Sequence, residues 1–574
     1  MFFSRCLKPF AIALLLTGCS RVASGPPPGF AFVRFENLSG DSSLEWLGRA
    51  ASEVLATSLT GALEGPVIAG TSISRLELVR GSRPAGAPGI SSQRSALILA
   101  GAKRMISGYF ERVPGGIRVE ATEEDVTTGK TVRIVNVTGA PTLQTILQLA
   151  RKLSSGAHPY LTANNEALRL YTTALETSQP LAEDSLRQAI ATDPSFGPAW
   201  TMAVRVALLQ NKRDDALRLV ADSQAQKLDP LSRATLKLDS AALAGDEKAR
   251  LAALTEVIEL SPGDTTLLRQ LAESKTASGQ FAEAAAAWLR LSQTLRDDPD
   301  VWNQMGYTRA WAGDYNGALA AMSEYGRIRP KDANPFDSRG DVHYLYRKYG
   351  EAAASYLESF AKDPSMQLGA SLYKAAWAKF YAGDRAGGDK LMDQLRVLRE
   401  KANVTNFHLF QADWLYRTGR QKEAVALLRK EMQAGSGKVA EARQLVVWDL
   451  LAGDRAAAVK DMASVGPAKD ALSAIAHFVA MPSAAAAEWQ RRAETMLPGL
   501  QNQAIRNLAL GYALLLDGKK QEAVPVWEQV IASTPQGDFA FRELLTKLQG
   551  GKPKLAVVPN PNGVNQFAGL IDKL

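Results

Sequence analysis

The residue types able to do chemistry are sparse in this chain. Its four histidines, His158, His343, His408 and His477, include no two at metal-ligand spacing, so each reads as a surface or packing residue and no metal site is expected. Gly129-Lys130-Thr131 has the ending of a phosphate loop. Such a loop needs an earlier glycine, and position 124 holds Glu124, so the triplet reads as a hairpin turn. There is no Gly-x-Ser-x-Gly elbow and no His-Glu-x-x-His helix. The acidic pairs Glu123-Glu124 and Asp297-Asp298 fit a strand end and a helix boundary. Nothing assembles a nucleophile, a base and a residue to orient them, so the expectation is a protein that is not an enzyme and uses no cofactor.

The elements around these residues are ordered by a repeat. Turn-type residues fall at one interval, Asn211, Gly245, Gly279 and Gly313, each 34 after the last. Phe281, Tyr315 and Tyr349 keep the same step, as do Ala284, Ala318 and Ala352, Gly306 and Gly340, and Pro330 and Pro364. A turn glycine ends a helix in the left-handed conformation at little cost, and asparagine is the next best choice. Proline stops the following helix. After Gly313 the phase slips: Gly383 comes 70 later, Gly419 36 after that, and Gly453 a further 34. Loops are therefore expected to lengthen by about two residues around 365–403. The stretch 462–500 is degenerate, with Pro467, Pro482 and Pro498 close together, although Ile475, Phe478, Val479 and Trp489 read as buried.

A 34-residue step is the tetratricopeptide period, and residues 160–548 resemble that family. Trp302-x-x-Met305-Gly306 fits the start of its pattern, and Ala284 and Trp288, Ala318 and Met322, Ala352 and Tyr356, Ala424 and Leu428, and Ala523 and Trp527 fit its second half. The resemblance implies an all-α solenoid of roughly nine or ten helical hairpins. The small residue of each pair, such as Gly340 or Gly511, lets two helices approach, and a bulky one, such as Tyr356, fills the space beside it. The resemblance also implies that first helices line a concave face, placing Arg269, Glu273, Asn303, Tyr307, Trp311, Asp337, Asp341, Tyr344, Tyr373, Trp377 and Tyr381 there. Aromatic rings flanked by a few polar groups suit an extended peptide or a helix, because they offer contact area at little entropy cost.

The other readings concern the ends. Arg5 and Lys8 precede a short apolar core at 10–16, followed by Leu16-Thr17-Gly18-Cys19. This has the form of a secretory signal and resembles the bacterial lipobox, which implies a signal peptide over 1–18 and acylation of Cys19. Residues 19–29, with Pro26, Pro27 and Pro28, read as a short stiff tether. Ser20 after the cysteine leans, by analogy with bacterial sorting, towards the outer membrane facing the periplasm. The only cysteines are Cys6 and Cys19, so the folded body has no disulfide framework. Residues 549–574, rich in proline and asparagine, read as a loop-like tail.

Between these ends, residues 30–140 read as a small α/β module. A strand at 30–35 precedes a helix marked by Leu44, Trp46, Leu47, Ala51, Val54, Leu55 and Leu59; Val67-Ile68-Ala69 follows as a strand, 81–92 as a loop and 96–102 as a helix. Segments 105–112 and 117–125 flank Pro114-Gly115-Gly116 as a hairpin, and 131–137 is a further strand. Phe35-Glu36-Asn37-Leu38-Ser39-Gly40-Asp41, Ala100-Gly101-Ala102, Ser107-Gly108 and the Asp125-x-x-Thr128-Gly129 turn resemble the TolB amino-terminal-like domain, although the glycine usual at the start of its first long helix has only Gly48 as a counterpart. That resemblance implies a non-catalytic interaction unit.

At 574 residues the chain exceeds one core. Hydrophobic residues at 46% and charged residues at 22% fit a globular protein. A net charge of +8, or +6 without Arg5 and Lys8, is too weak to point to nucleic acid. The expected fold class is an α+β amino-terminal module followed by an all-α tetratricopeptide solenoid. The expected function is an exported, lipid-anchored, non-enzymatic scaffold for a protein or peptide partner. The alternatives are a sensory or regulatory protein of a signalling system and an envelope-polymer enzyme.

Overall fold

The structure, a computed structural model, describes residues 28–68, 97–98, 100–177, 181–434, 438–465, 476–477, 480, 491, 503–533, 539–563, 569 and 572. Cys19 and its signal, the loop at 81–92, and Ile475, Phe478, Val479 and Trp489 lie outside them. Contacts divide the described chain into two compact units, one ending at Leu243 but including Leu260–Thr265, the other holding Ala244–Glu259 and Thr266 onward. No helix among the described residues is long and apolar enough to cross a membrane.

The first unit is built on a sheet. β1 (Gly29–Phe32) and β2 (Glu36–Asn37) both pair in parallel with β3 (Ala102–Val113). β3, β4 (Gly116–Asp125) and β5 (Thr131–Gly139) form an antiparallel meander. Val67 makes a parallel bridge to Phe30, and Ala69, the last residue of the strand expected there, lies outside the described residues. Gly129, with φ of 68°, closes the β4–β5 turn, and Asp125 Oδ1 accepts from the Thr127 and Thr128 amides at 3.1 and 2.9 Å. Gly129-Lys130-Thr131 is therefore turn chemistry.

Helix α1 (Trp46–Leu59) turns Leu47, Ala51, Val54, Leu55 and Leu59 to the interior. Alternating β4 residues Ile117, Val119 and Ala121 meet the same core. So do Leu143, Ile146, Leu149 and Ala150 of α2 (Leu143–Leu153). That core runs on without a break into α3 (Asn165–Glu176), α4 (Leu181–Thr192) and α5 (Gly197–Leu209). Phe196 meets Tyr160 and Tyr171 edge-on, with centroids 5.9 and 5.1 Å apart. The sheet and the first helices thus bury one another's apolar faces. The segment after β1 is held by polar contacts: Asn37 Oδ1 accepts from the Ser39 amide at 3.0 Å, and Arg34 pairs with Glu45 and Glu176. α6 (Arg213–Ser223) and α7 (Pro230–Ala244) complete this unit.

The second unit is a helical array: α8 (Glu247–Leu260), α9 (Thr265–Ala277), α10 (Phe281–Thr294), α11 (Pro299–Trp311), α12 (Tyr315–Ile328), α13 (Asn334–Leu345), α14 (Tyr349–Lys362), α15 (Ala370–Tyr381), α16 (Arg385–Lys401), α17 (Phe407–Arg417), α18 (Gln421–Ala434), α19 (Lys438–Leu451), α20 (Arg455–Val465), α21 (Gln503–Leu516), α22 (Lys520–Ser533) and α23 (Phe539–Leu548). Successive pairs from α11/α12 to α19/α20, and α21/α22, pack as hairpins. The small-to-large pairing read from sequence is physical: a Cβ added to Gly511 would come 2.4 Å from Trp527 Nε1. The two phase slips also have structural sites. Residues 366–368 form an extra 3-10 turn with Gln367 and Leu368 at positive φ, and α16 extends to 17 residues where α14 has 14.

Candidate interaction groove

The turn ladder sets this site. Asn211, Gly245, Gly279, Gly313, Gly383, Gly419, Gly453 and Gly518 all have positive φ. The rung 34 residues after Gly313 is occupied by Arg347, with φ of 58°. A side chain is strained there by about 1 kcal/mol or more. In exchange, the turn carries a guanidinium at the end of α13.

That guanidinium grips the segment that follows α23. Arg347 Nη2 donates to the Pro553 carbonyl at 2.8 Å and Nη1 to the Lys554 carbonyl at 3.0 Å. Two residues beyond, the Ala556 amide donates to the Leu345 carbonyl at 2.8 Å. Arg399 Nη2 donates to the Pro561 carbonyl at 3.0 Å while its guanidinium lies 4.4 Å from the Phe410 ring centre. Ala556 is 7% exposed and joins the cluster of Tyr344, Tyr373 and Trp377. Leu555 and Val558 pack half-buried on the cluster around α11 to α13. Further on, Arg417 Nε donates to Asp572 Oδ2 at 2.7 Å. Over 553–561 the loop-like tail, with a bend at Lys554–Leu555, is docked on these helices.

Between this segment and the helices lies a cavity of about 690 Å³, lined by Tyr344, Tyr373, Trp377, Tyr381, Asp413 and Arg417 among others. Arg417 stacks 4.4 Å over Trp377. Burial works against its charge, but Asp413 and Asp572 outweigh it and hold the guanidinium protonated. Burial pushes the Asp413 carboxyl up to about 6, with Arg417 opposing.

The residues proposed from the repeat occupy several environments. Tyr344, Tyr373 and Trp377 are buried but line the cavity, and Tyr381, 41% exposed, forms part of its wall. Tyr307 and Trp311 stack at 5.6 Å and are half-buried. Arg269 is half-buried, pairs with Asp298 at 2.6 Å and lies 5.6 Å over Trp288. Asn303 is half-buried and Glu273 exposed.

Asp337 and Asp341 belong to a buried polar network. Lys374 Nζ lies 2.6 Å from Asp337 Oδ2 and 2.9 Å from Asp341 Oδ1. Tyr307 and Tyr356 hydroxyls donate to Asp341 at 2.7 and 2.8 Å, and Ser371 donates to Asp337 at 2.8 Å. Burial opposes the Lys374 charge, yet the two carboxylates hold it firmly protonated. Burial and then the Asp341 charge raise the Asp337 carboxyl above the usual range. A network with this many partners fixes how α11, α13, α14 and α15 sit together.

The sequence reading missed Arg347, Arg399 and Arg417. The signal available for Arg347 was the gap in the ladder: an arginine stands where the period calls for glycine. His343 and His408 are bonded to neighbouring helices, to the Tyr315 hydroxyl at 2.8 Å and to Glu441 at 2.6 Å. No group of three or more potential metal ligands occurs among the described residues.

No family model matches the chain, and no curated protein matches it. Solved structures similar to parts of it include MamA from Desulfovibrio magneticus RS-1, 13% identical with a TM-score of 0.26 over 30% of this chain and 97% of that one. YrrB, described as a TPR protein with an unusual peptide-binding site, is 14% identical with a TM-score of 0.25 over 36% and 96%. The C-terminal part of a TPR repeat-containing protein from Cytophaga hutchinsonii is 13% identical with a TM-score of 0.31 over 40% and 93%. Within this chain, a small sheet region is followed by a long series of helices that pack in pairs.

Proposed function

We propose that this protein is an exported, lipid-anchored, non-enzymatic scaffold that binds an extended segment of a protein partner on the face made by its first helices. The observation that carries this reading is the way the second unit holds residues 553–561. Arg347, Leu345 and Arg399 address backbone groups, and aromatic side chains supply the apolar wall. Backbone bonding with apolar pockets is a general way to bind an extended peptide. The Cys19 motif supports the anchor, since acylation supplies the more than one chain that stable attachment needs. The amino-terminal module, similar in its motifs to TolB amino-terminal-like domains, supplies a second contact.

The test is affinity capture from bacterial envelope extracts with the natural chain and with Tyr381→Ala combined with Arg347→Ala. The expected result is a partner whose recovery falls at least tenfold with the double variant. Equal recovery of every captured protein would sink the assignment of this face.

A further inference from the structure

We infer that residues 551–563 are a built-in occupant of the groove, and that a partner binds by displacing them with a proline-containing segment bearing a bulkier apolar side chain where Ala556 lies. The inference rests on the proposed binding face and adds what occupies it and what would fit better.

Three independent observations meet here. First, Arg347 takes a left-handed backbone at a rung where the other named positions hold glycine or asparagine. The strain is local, and the guanidinium it carries goes to the Pro553 and Lys554 carbonyls. Second, the segment is held through its main chain: three carbonyls accept from Arg347 and Arg399, and one amide donates to Leu345. Such contacts ask for little specific sequence, so another chain can make them. Prolines at 553, 559 and 561 fix φ locally and remove competing amide donors. Third, the fit is incomplete. Ala556, Val557 and Val558 line a cavity of about 690 Å³ whose wall is aromatic at Tyr344, Tyr373 and Trp377 and charged at Asp413, Arg417 and Lys547. Ala556 shares the aromatic side of this cavity with Tyr344, Tyr373 and Trp377, where a larger side chain would make more apolar contact.

The energetics make this a gate. A tethered segment competes at an effective concentration of roughly millimolar. A partner's apparent affinity is lowered by the fraction of molecules whose groove is open. A partner that fills the cavity better recovers that loss.

The probe is a fluorescent peptide of residues 551–563, with a second peptide carrying Ala556→Leu. Binding is followed by anisotropy on the natural full chain and on a full chain with Ala556→Asp and Val558→Asp, which loosens the segment and leaves the groove intact. The expected result is at least tenfold tighter binding to the loosened chain, tighter still for the leucine peptide. Adding Arg347→Gly, which relieves the backbone but removes the grip, is expected to weaken binding at least tenfold. Equal affinity for the natural and loosened chains, or no binding to either at millimolar peptide, would overturn the inference.

If the loosened chain does not fold, hydrogen exchange on the natural chain decides. The Ala556 amide is expected to be protected and to lose protection when the leucine peptide is added. Exchange at the free-peptide rate overturns the inference. Peptide binding without any groove-dependent partner leaves the self-occupancy standing and overturns the scaffold reading. A groove-dependent partner with no peptide binding does the reverse.

Discussion

Gly340 on α13 packs so closely against Tyr356 on α14 that a Cβ on the glycine would come 2.5 Å from the tyrosine ring. Tyr356 is fully buried and its hydroxyl reaches Asp341, the next residue of α13, so the ring cannot retreat without breaking that bond.

Gly340→Ala is therefore expected to destabilise the second unit by about 1–3 kcal/mol through overpacking. Gly350→Ala is the control. That residue lies at the start of α14 with nothing within 4 Å of an added Cβ. Alanine there is expected to be neutral or to stabilise by up to about 1 kcal/mol through helix propensity. Chemical denaturation of the full chain separates the two outcomes, and equal effects would contradict the close-packing account.

Lys374 offers a sharper test. Lys374→Met leaves Asp337 and Asp341 buried without their cation, and is expected to cost about 3–5 kcal/mol at neutral pH. The Asp337 carboxyl is already raised, by burial first and by Asp341 second. It takes up a proton more readily once the lysine is gone, so the loss should shrink as pH falls towards 5. A loss that does not change with pH would show that packing, and not charge, dominates.

Asp239, on α7 in the first unit, has its carboxyl raised to about 6 by burial, with Arg205 opposing. The folded state then binds the proton more tightly than the unfolded one. Its penalty is absent below the ordinary carboxylate range, grows as pH rises through the interval up to about 6, and is complete above it. Asp239→Asn is expected to stabilise the first unit at pH 7.5 by on the order of 2 kcal/mol, and to make no difference near pH 3.5. Urea unfolding at the two pH values measures this, and a gain that persists at the lower pH would reject it.

Cys19→Ser addresses the anchor. The natural chain is expected to carry the added mass of acyl groups and to fractionate with membranes. The serine variant is expected to lose both. Intact mass and membrane fractionation read this directly, and an unmodified natural chain would remove the lipid anchor from the proposed function.

Much of the fold was legible in the sequence because its cause is local. A residue that must take positive φ at a helix end is glycine or asparagine, so Asn211, Gly245, Gly279 and Gly313 wrote the period openly. The Pro114-Gly115-Gly116 turn and the alternation in 117–125 likewise expressed a hairpin through neighbouring residues. The aromatic and acidic residues of the first helices were legible as types but not as roles. Asp337 and Asp341 look like surface carboxylates until Lys374, more than thirty positions later, is brought between them.

The sequence by itself determined the repeat, its two-residue slips and the small-against-large pairing of helices, since each follows from backbone conformation and from spacing within one hairpin. Tertiary structure decided the rest. It made one core of the sheet and the first helices, buried Tyr344, Tyr373 and Trp377, and laid residues 553–561 against helices some two hundred positions earlier. On the segment's side those contacts are made largely by main-chain carbonyls, which every residue possesses, so its own side chains carry no pattern that announces them. Only the arginine at position 347, where a glycine was due, left a mark in the sequence.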